Sequence, residues 1–231
     1  MSNYLLTPSR ENLQRQPSPR FVILGGSFNP VHIGHVALAE ALGRMPGVAQ
    51  VLAIPAAQNP LKGGRVLLPP GVRLEMVQRS LAALSNVAVL DVELRRGPPS
   101  YTLDTVFELQ SLLPRATFDI ALGWDAYCDF AKWHSAARIL EWAGLIVVPR
   151  PGLGSGQAAS AVECLPADWR DRLIESGAGE WQDSAGRSVL RLVPLRIADV
   201  SATRIWAEER WDLVPEPARA LLLRHLGRDK I

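Results

Sequence analysis

The sequence predicts an α/β fold: a Rossmann-like, doubly wound parallel sheet with a small helical part at the C-terminal end. Two observations lead to this prediction. Short, nearly continuous apolar segments alternate with segments of helical periodicity, and the first apolar segment ends in a glycine turn. Strands that are apolar on both faces are typical of a parallel sheet covered by helices on both sides.

The same patterns predict where the strands and helices lie. Six strands are expected, at residues 21–24, 50–54, 87–90, 117–122, 143–148 and 189–195. Helices are expected from residue 36, near 70–84, at 101–113, at 166–176 and after Ser201. In such a sheet ligands bind beyond the carboxyl ends of the strands, so the turns that follow the strands are the first places to look for a site.

Composition excludes several classes of protein. The 231 residues are 48% apolar and 21% charged with a net charge of +2, so the charge balance does not predict binding to nucleic acid or to a membrane. No run reaches the roughly 18 apolar residues of a membrane span. Cys128 and Cys164 have no metal-ligand spacing and form no evident disulfide framework, which fits a reducing cytoplasm.

The chain is expected to form one domain at residues 21–231, preceded by an extension. Residues 1–20 are polar and proline-rich without apolar periodicity, which predicts disorder; a transit peptide is the alternative interpretation. Residues 157–188 are expected to form a variable excursion from the sheet. The segment PRPGLGSGQAAS, which begins at residue 149, is flexible by composition, and residues 177–186, after the expected helix, form a second loose stretch.

The most informative stretch is FVILGGSFNPVHIGH, at residues 21–35. It predicts a buried strand, a glycine turn and a helix whose first turn carries two imidazoles. A helix start offers unpaired N–H groups and a positive dipole end, and glycine lets a phosphate approach the backbone closely. His32 and His35 could then donate to phosphoryl oxygens as charge develops on them.

Simpler interpretations of these residues remain open. The two histidines could be exposed or capping residues, or a metal pair, although no Cys, Asp or Glu in the stretch supplies a third ligand. Ser201 could be only a helix cap. Trp133 could belong to the core, since the chain has seven tryptophans.

Several segments together resemble one family of enzymes. The segment GGSFNPVHIGH is similar to the HxGH nucleotidyltransferases, most closely the bacterial nicotinate-mononucleotide adenylyltransferases. The combination of SYTLDT, GWD, KWH, VVPRPG and VSATRI, at residues 100–105, 123–125, 132–134, 147–152 and 200–205, is more specific to that branch. The resemblance runs from residue 21 to about 227, apart from the excursion.

The resemblance implies roles for individual residues. The implied catalytic residues are His32, His35 and Lys62. The implied ATP-binding residues are Gly25, Gly26, Ser27, Phe28, Gly34, Gly123, Asp125, Ser201 and Thr203. The implied residues for nicotinate mononucleotide are Asn29, Tyr101, Thr102, Trp133, His134 and Arg150.

Two positions depart from the family pattern. Leu61 stands where the family has a histidine, and Trp206 stands where it has an arginine that is thought to hold ATP phosphates. Arg210 lies about one turn beyond Trp206 along the predicted helix. We therefore expect Arg210 to replace the missing arginine and bind ATP.

The resemblance also implies the reaction and its partners. ATP and nicotinate mononucleotide would react to give deamido-NAD and pyrophosphate in the cytoplasm, with Mg²⁺ carried by ATP and no metal held by a protein cage. Nucleic acid and membrane are not expected as partners, and a homo-oligomer is left open. The alternatives are a sister enzyme for nicotinamide mononucleotide or another substrate, and an ATP-binding homologue without turnover.

Overall fold

A computed structural model describes residues 18–58, 68–149, 160–195, 197 and 200–228. Within them the strands are β1 (Arg20–Gly26), β2 (Val48–Pro55), β3 (Val87–Val89), β4 (Thr117–Gly123), β5 (Ala143–Val148), β6 (Ile174–Gly177), β7 (Glu180–Gln182) and β8 (Ser188–Leu192). The α-helices are α1 (Ile33–Gly43), α2 (Pro70–Leu81), α3 (Val92–Arg96), α4 (Thr102–Leu112), α5 (Trp124–Cys128), α6 (Ala136–Trp142), α7 (Ala167–Arg170), α8 (Ala202–Ala207) and α9 (Glu216–His225). Short 3₁₀ turns lie at Phe130–Lys132, Val162–Cys164 and Trp211–Leu213.

The strands form one sheet in the order β3-β2-β1-β4-β5-β8-β7-β6. The pairs from β3 to β8 are parallel, whereas β8, β7 and β6 pair antiparallel. The predicted fold class is therefore confirmed, with an antiparallel extension at one edge. The chain order reverses between β1 and β4, which opens a crevice at their carboxyl ends.

Both faces of the sheet are buried, as the apolar strands predicted. Along β1, Val22 and Leu24 join one apolar cluster and Ile23 joins the other, because successive side chains of a strand point to opposite faces. The first cluster includes residues of α1, α2 and α9, and the second includes residues of α4 and α6. Helices thus cover the sheet on both sides.

The prediction for residues 166–176 is wrong. Only Ala167–Arg170 is helical there, and Ile174–Gly177 forms β6, paired with β7 in a stretch that we expected to be loose. Gly179 adopts a φ of +78° in the turn between the strands, a conformation that glycine allows. Trp181 of β7 is buried in the core, so the described part of the excursion extends the sheet.

A buried ion-pair cluster joins three strands. The Asp119 carboxylate on β4 lies 2.8 Å from Arg20 Nε on β1 and 2.5 Å from Arg191 Nη2 on β8. On β5, Gly144 leaves room for it, since a Cβ there would be 2.5 Å from Asp119 Oδ1. Such a cluster is sensitive to the loss of either sign of charge.

Two further observations bear on the sequence predictions. Among the residues that the structure describes, no helix is both long enough and apolar enough to cross a membrane. Cys128, at the end of α5, and Cys164 are free cysteines whose Sγ atoms are 3.8 Å apart. Their 36-residue separation in the chain gave no sign of this proximity.

Candidate active site

A pocket of about 410 Å³ lies at the carboxyl ends of β1 and β4, where the strand order reverses. It brings together predicted residues from three distant segments of the chain. The predicted site residues that line it are Gly25, Gly26, Ser27, Tyr101, Thr102, Trp133 and His134. The turn after β1, the start of α4 and residues 132–134 all contribute to its lining.

The turn after β1 is held in a constrained conformation. Phe28 has a φ of 46°, in the left-handed region that costs a non-glycine residue about 1–2 kcal/mol. Its ring is buried and packs on the His35 ring with 4.8 Å between centroids. The Asn29 side-chain oxygen accepts from Leu68 N at 3.1 Å, so this predicted nicotinate-nucleotide residue has a structural partner.

Trp206, which replaces the family's arginine, contacts the same turn. Its indole Nε1 donates to the backbone oxygen of Asn29 at 2.9 Å. Its ring also packs edge-on against Trp211 with centroids 5.3 Å apart. The tryptophan therefore ties α8 to the turn through a neutral hydrogen bond and contributes no positive charge.

His32 and His35 form a stacked pair at the start of α1, with ring centroids 3.7 Å apart. The backbone N–H of His32 donates to His35 Nδ1 at 3.2 Å, so a neutral His35 carries its proton on Nε2. Burial lowers the pKa of His32 to about 4, which keeps this imidazole neutral at pH 7. The pair therefore places the Nε2–H of a neutral His35 beside the uncharged ring of His32.

The start of α1 has the features of an anion site. His32 is the N-cap residue with an extended backbone, Gly34 is buried in the first turn, and this turn carries no acidic residue. The first N–H groups of an 11-residue helix thus stand where an anion gains from the helix dipole. This is the arrangement that the HxGH stretch predicted.

Part of the pocket lining is aromatic. The Tyr101 and His134 rings lie 4.4 Å apart, and Trp133 is half-buried against Phe130 with centroids 5.4 Å apart. Thr102 is the first residue of α4, so its backbone N–H belongs to another helix start. These groups could hold a flat ring and an anionic substituent.

Other predicted ATP residues lie at helix starts outside the described pocket lining. Gly123 is the N-cap of α5, and Asp125 lies in the first turn of that helix. Ser201 caps α8, since its Oγ accepts from Arg204 N at 3.2 Å, and Thr203 is exposed in the first turn of α8. The capping role of Ser201 is thus observed, and a role for either hydroxyl toward phosphate stays a prediction.

Arg210, Lys62 and Arg150 complete the set of predicted site residues. The prediction that Arg210 shares a helix face with Trp206 is wrong, because α8 ends at Ala207. The Arg210 guanidinium pairs with Asp212 at 2.8 Å, so its role toward ATP stays a prediction. Lys62 and Arg150 lie outside the described residues.

Sequence reasoning missed Glu93, which lines the pocket together with Ser100 and Thr105 and belongs to a polar cluster there. Thr105 Oγ1 donates to the buried Glu93 carboxylate at 2.8 Å and accepts from Arg96 Nη2 at 2.7 Å. Burial raises the pKa of Glu93, and the hydrogen bonds from Thr105 and Ser100, which lower this pKa, offset the effect of burial only in part. The sequence gave no sign that Glu93 is buried, because its five-residue helix is too short to show apolar periodicity.

Arg73 was also missed, although the sequence carried a signal for it. It lies three and four residues before Met76 and Val77, on the apolar face of α2, and its side chain is fully buried. A charged residue on the buried face of an amphipathic helix is unusual and needs internal partners. Its partners are backbone carbonyls of the turn after β1 and of the segment after β2.

The donor set suits an anion better than a resident metal ion. Among the residues that the structure describes, no group of three His, Cys, Asp or Glu side chains could hold a metal. The start of α1 carries imidazoles and backbone N–H groups instead. A Mg²⁺ ion carried by a triphosphate needs no protein cage, since phosphate oxygens and water supply its ligands.

Comparison with known proteins adds independent information. A family model described as cytidylyltransferase-like matches residues 23–208. A probable nicotinate-nucleotide adenylyltransferase from Gloeobacter violaceus is 42% identical over 139 residues, which cover 59% of this chain and 66% of the relative. Another from Trichlorobacter lovleyi is 32% identical over 183 residues, which cover 79% of this chain and 84% of the relative.

A solved structure shares the fold. The nicotinic acid mononucleotide adenylyltransferase of Plasmodium falciparum, solved in complex with NaAD, aligns with a TM-score of 0.67. The alignment covers 91% of this chain and 98% of the other, at 15% sequence identity. The similarity therefore concerns the arrangement of the sheet and its helices.

Proposed function

Because the chain belongs to the cytidylyltransferase-like family, and within it to the nicotinate-nucleotide adenylyltransferases, we propose that it transfers the adenylyl group of ATP to nicotinate mononucleotide. The products would be deamido-NAD and pyrophosphate, a step of NAD biosynthesis. The names of the relatives support this substrate, and the match confirms the resemblance seen in the sequence motifs.

The observation that carries the proposal is the His32–His35 pair at the start of α1. In the proposed reaction the 5′-phosphate oxygen of the mononucleotide attacks the α-phosphorus of ATP in line, and the bond to the β-phosphate oxygen breaks. The nucleophile is already an anion, so no general base is required. Catalysis then depends on positioning and on donors aimed at the phosphoryl oxygens, which this helix start supplies.

The two histidines would have different tasks. His35 would donate from Nε2, because its Nδ1 is occupied by the His32 backbone N–H. His32 would meet the phosphates as a neutral ring, and an approaching triphosphate would raise its pKa from about 4. We further propose that Lys62, Ser201 and Thr203 steady the leaving pyrophosphate.

The aromatic part of the pocket would receive the nicotinate ring. Trp133 offers a flat surface, and the Tyr101 and His134 rings line the same pocket. The ring carboxylate would accept hydrogen bonds from backbone N–H groups at Thr102 and His134. Such a site favours the acid over the uncharged amide.

The remaining parts of the proposal concern the surroundings of the reaction. Mg²⁺ would enter bound to ATP and would neutralise charge on the β- and γ-phosphates. We place the reaction in the cytoplasm, where ATP is supplied.

The test is pyrophosphate release with ATP, Mg²⁺ and either nicotinate or nicotinamide mononucleotide, measured side by side. We expect a strong preference for the acid. His35→Ala should lower kcat by about two orders of magnitude or more while the protein stays folded. His225→Ala is the matched control, because this histidine is exposed in the last turn of α9.

The other outcomes would identify different functions. Equal rates with acid and amide would mean a dual-specificity enzyme, and a near-wild-type rate in His35→Ala would remove this histidine from the mechanism. The second candidate is an ATP-binding homologue without turnover, favoured by the neutral hydrogen bond of Trp206 in place of an arginine. Equilibrium binding of ATP without pyrophosphate release would identify it.

A further inference from the structure

Arg73 carries a charge in a fully buried position. Burying a charge is unfavourable unless internal partners replace water, and burial lowers the pKa of this guanidinium. All of its hydrogen bonds among the described residues go to backbone carbonyls, and none goes to a carboxylate. The position is therefore poorly explained by ion pairing and calls for another role.

The carbonyls belong to two loops that follow the carboxyl ends of neighbouring parallel strands. Nη1 donates to Ser27 O at 2.7 Å and to Ala56 O at 2.8 Å, and Nη2 donates to Ala57 O at 3.3 Å. Ser27 lies in the turn after β1, and the two alanines follow β2, its parallel neighbour. The planar guanidinium thus links the turn to the next loop through donors in fixed geometry.

The second loop is also held by hydrogen bonds to Ser100, which lies just before α4. The backbone N–H of Ala57 donates to Ser100 Oγ at 2.9 Å, and the backbone N–H of Ser100 donates to Gln58 O at 3.1 Å. A loop that is hydrogen-bonded to Ser100 is a firm support for a group that must hold the turn after β1. Arg73 therefore connects this turn to a hydrogen-bonded part of the pocket lining, to which Ala56 and Ser100 belong.

The turn has a conformation that needs support. Ser27 O belongs to the peptide that precedes Phe28, and Phe28 has the left-handed φ of 46°. A bulky residue persists in that region only where its surroundings over-determine it. The Phe28 ring then packs on His35, 4.8 Å between centroids, so the conformation of this peptide influences the orientation of the imidazole.

We propose that Arg73 is a positioning residue for adenylyl transfer, fixing the turn whose Phe28 side chain orients His35. Arg73 is not among the residues that line the described pocket, so it acts through the turn and not on the substrate. The inference rests on the proposed function for its kinetic consequence. Its structural consequence, the orientation of His35, can be measured without turnover.

The experiment compares Arg73→Lys, Arg73→Met and Arg79→Met. Lysine keeps the charge and a donor but loses the planar fork, and methionine loses both. Arg79 lies on the same helix as an exposed residue paired with Glu75, and it serves as the matched control. The measurements are kcat, both KM values, urea unfolding, and the imidazole NMR signals of protein labelled with ¹⁵N-histidine.

The chain has four histidines, so the imidazole spectrum is simple, and His35→Gln identifies the His35 signals. In folded Arg73→Lys we expect kcat to fall about tenfold or more, with the KM for nicotinate mononucleotide within about threefold of wild type. The His35 signals should shift, and Arg73→Met should show both effects more strongly. Arg79→Met should match wild type in every measurement.

Three results would overturn the proposal. The first is a wild-type kcat in both Arg73 variants, whatever the histidine signals do. The second is an unchanged His35 signal in a folded Arg73→Lys protein. The third is loss of folding in both variants, which would assign Arg73 to stability alone. Failure of the proposed function is recognised separately, because the wild type would then release no pyrophosphate, and the His35 signals would still decide the positioning role.

Discussion

The buried imidazole of His32 makes protein stability depend on pH in a defined window. Its side chain is 7% exposed, and burial lowers its pKa from 6.5 to about 4. Between these values the unfolded chain binds a proton that the folded protein does not. The free energy of unfolding therefore falls as the pH is lowered from about 6.5 toward 4.

The size of this effect follows from the two pKa values. Each unit of difference corresponds to about 1.4 kcal/mol, so the full effect is about 3 kcal/mol once the pH is below both values. Lowering the pH from 7 to 5 should remove about 2 kcal/mol of this contribution. The free energy of unfolding of a typical domain is about 5–15 kcal/mol, so a loss of about 2 kcal/mol is a substantial share of it.

The assay is urea unfolding of wild type and His32→Gln at pH 7 and pH 5. Glutamine does not titrate, so the variant should lose about 2 kcal/mol less than wild type between the two pH values. All other titrating groups are common to both proteins and cancel in the comparison. His225→Gln, an exposed site on α9, should behave like wild type.

An identical pH dependence in wild type and His32→Gln would refute the reasoning. It would mean that His32 is as accessible to protons in the folded protein as in the unfolded chain. A His32 with the ordinary pKa of 6.5 would be about one-quarter protonated at pH 7, so the ring would not be uniformly neutral before ATP binds.

Three further predictions concern neighbouring parts of the fold. Trp206→Phe removes the hydrogen-bond donor to Asn29 O, so it should lower the free energy of unfolding by about 1 kcal/mol and raise the KM for ATP. If both values stay unchanged, this hydrogen bond does not support the turn. Gly144→Ala places a Cβ 2.5 Å from Asp119 Oδ1 and should cost more than about 2 kcal/mol in urea unfolding, whereas a loss under about 0.5 kcal/mol would contradict the packing. Arg210→Ala should raise the ATP KM if the guanidinium leaves its carboxylate partner for the triphosphate, and an unchanged KM would end that assignment.

The sequence alone determined the parallel part of the sheet and the start of the site. Buried parallel strands are apolar on both faces, so the predicted strand at 143–148 and the observed strand Ala143–Val148 coincide. The His32–His35 pair was also visible, because a strand, a glycine turn and a helix start are adjacent in the chain. Structural features formed by residues that are adjacent in the chain can be predicted from the local sequence pattern.

The tertiary structure decided the edge of the sheet and the supports of the site. The side chains of Ile174–Gly177 are exposed, so this strand has no buried face to mark it, and pairing with its neighbours makes it a strand. Trp206 meets Asn29 across 177 residues, and Arg73 meets Ser27 across 46. A buried polar group needs a partner but does not specify which part of the chain supplies it, and only the packing of the sheet brings these partners together.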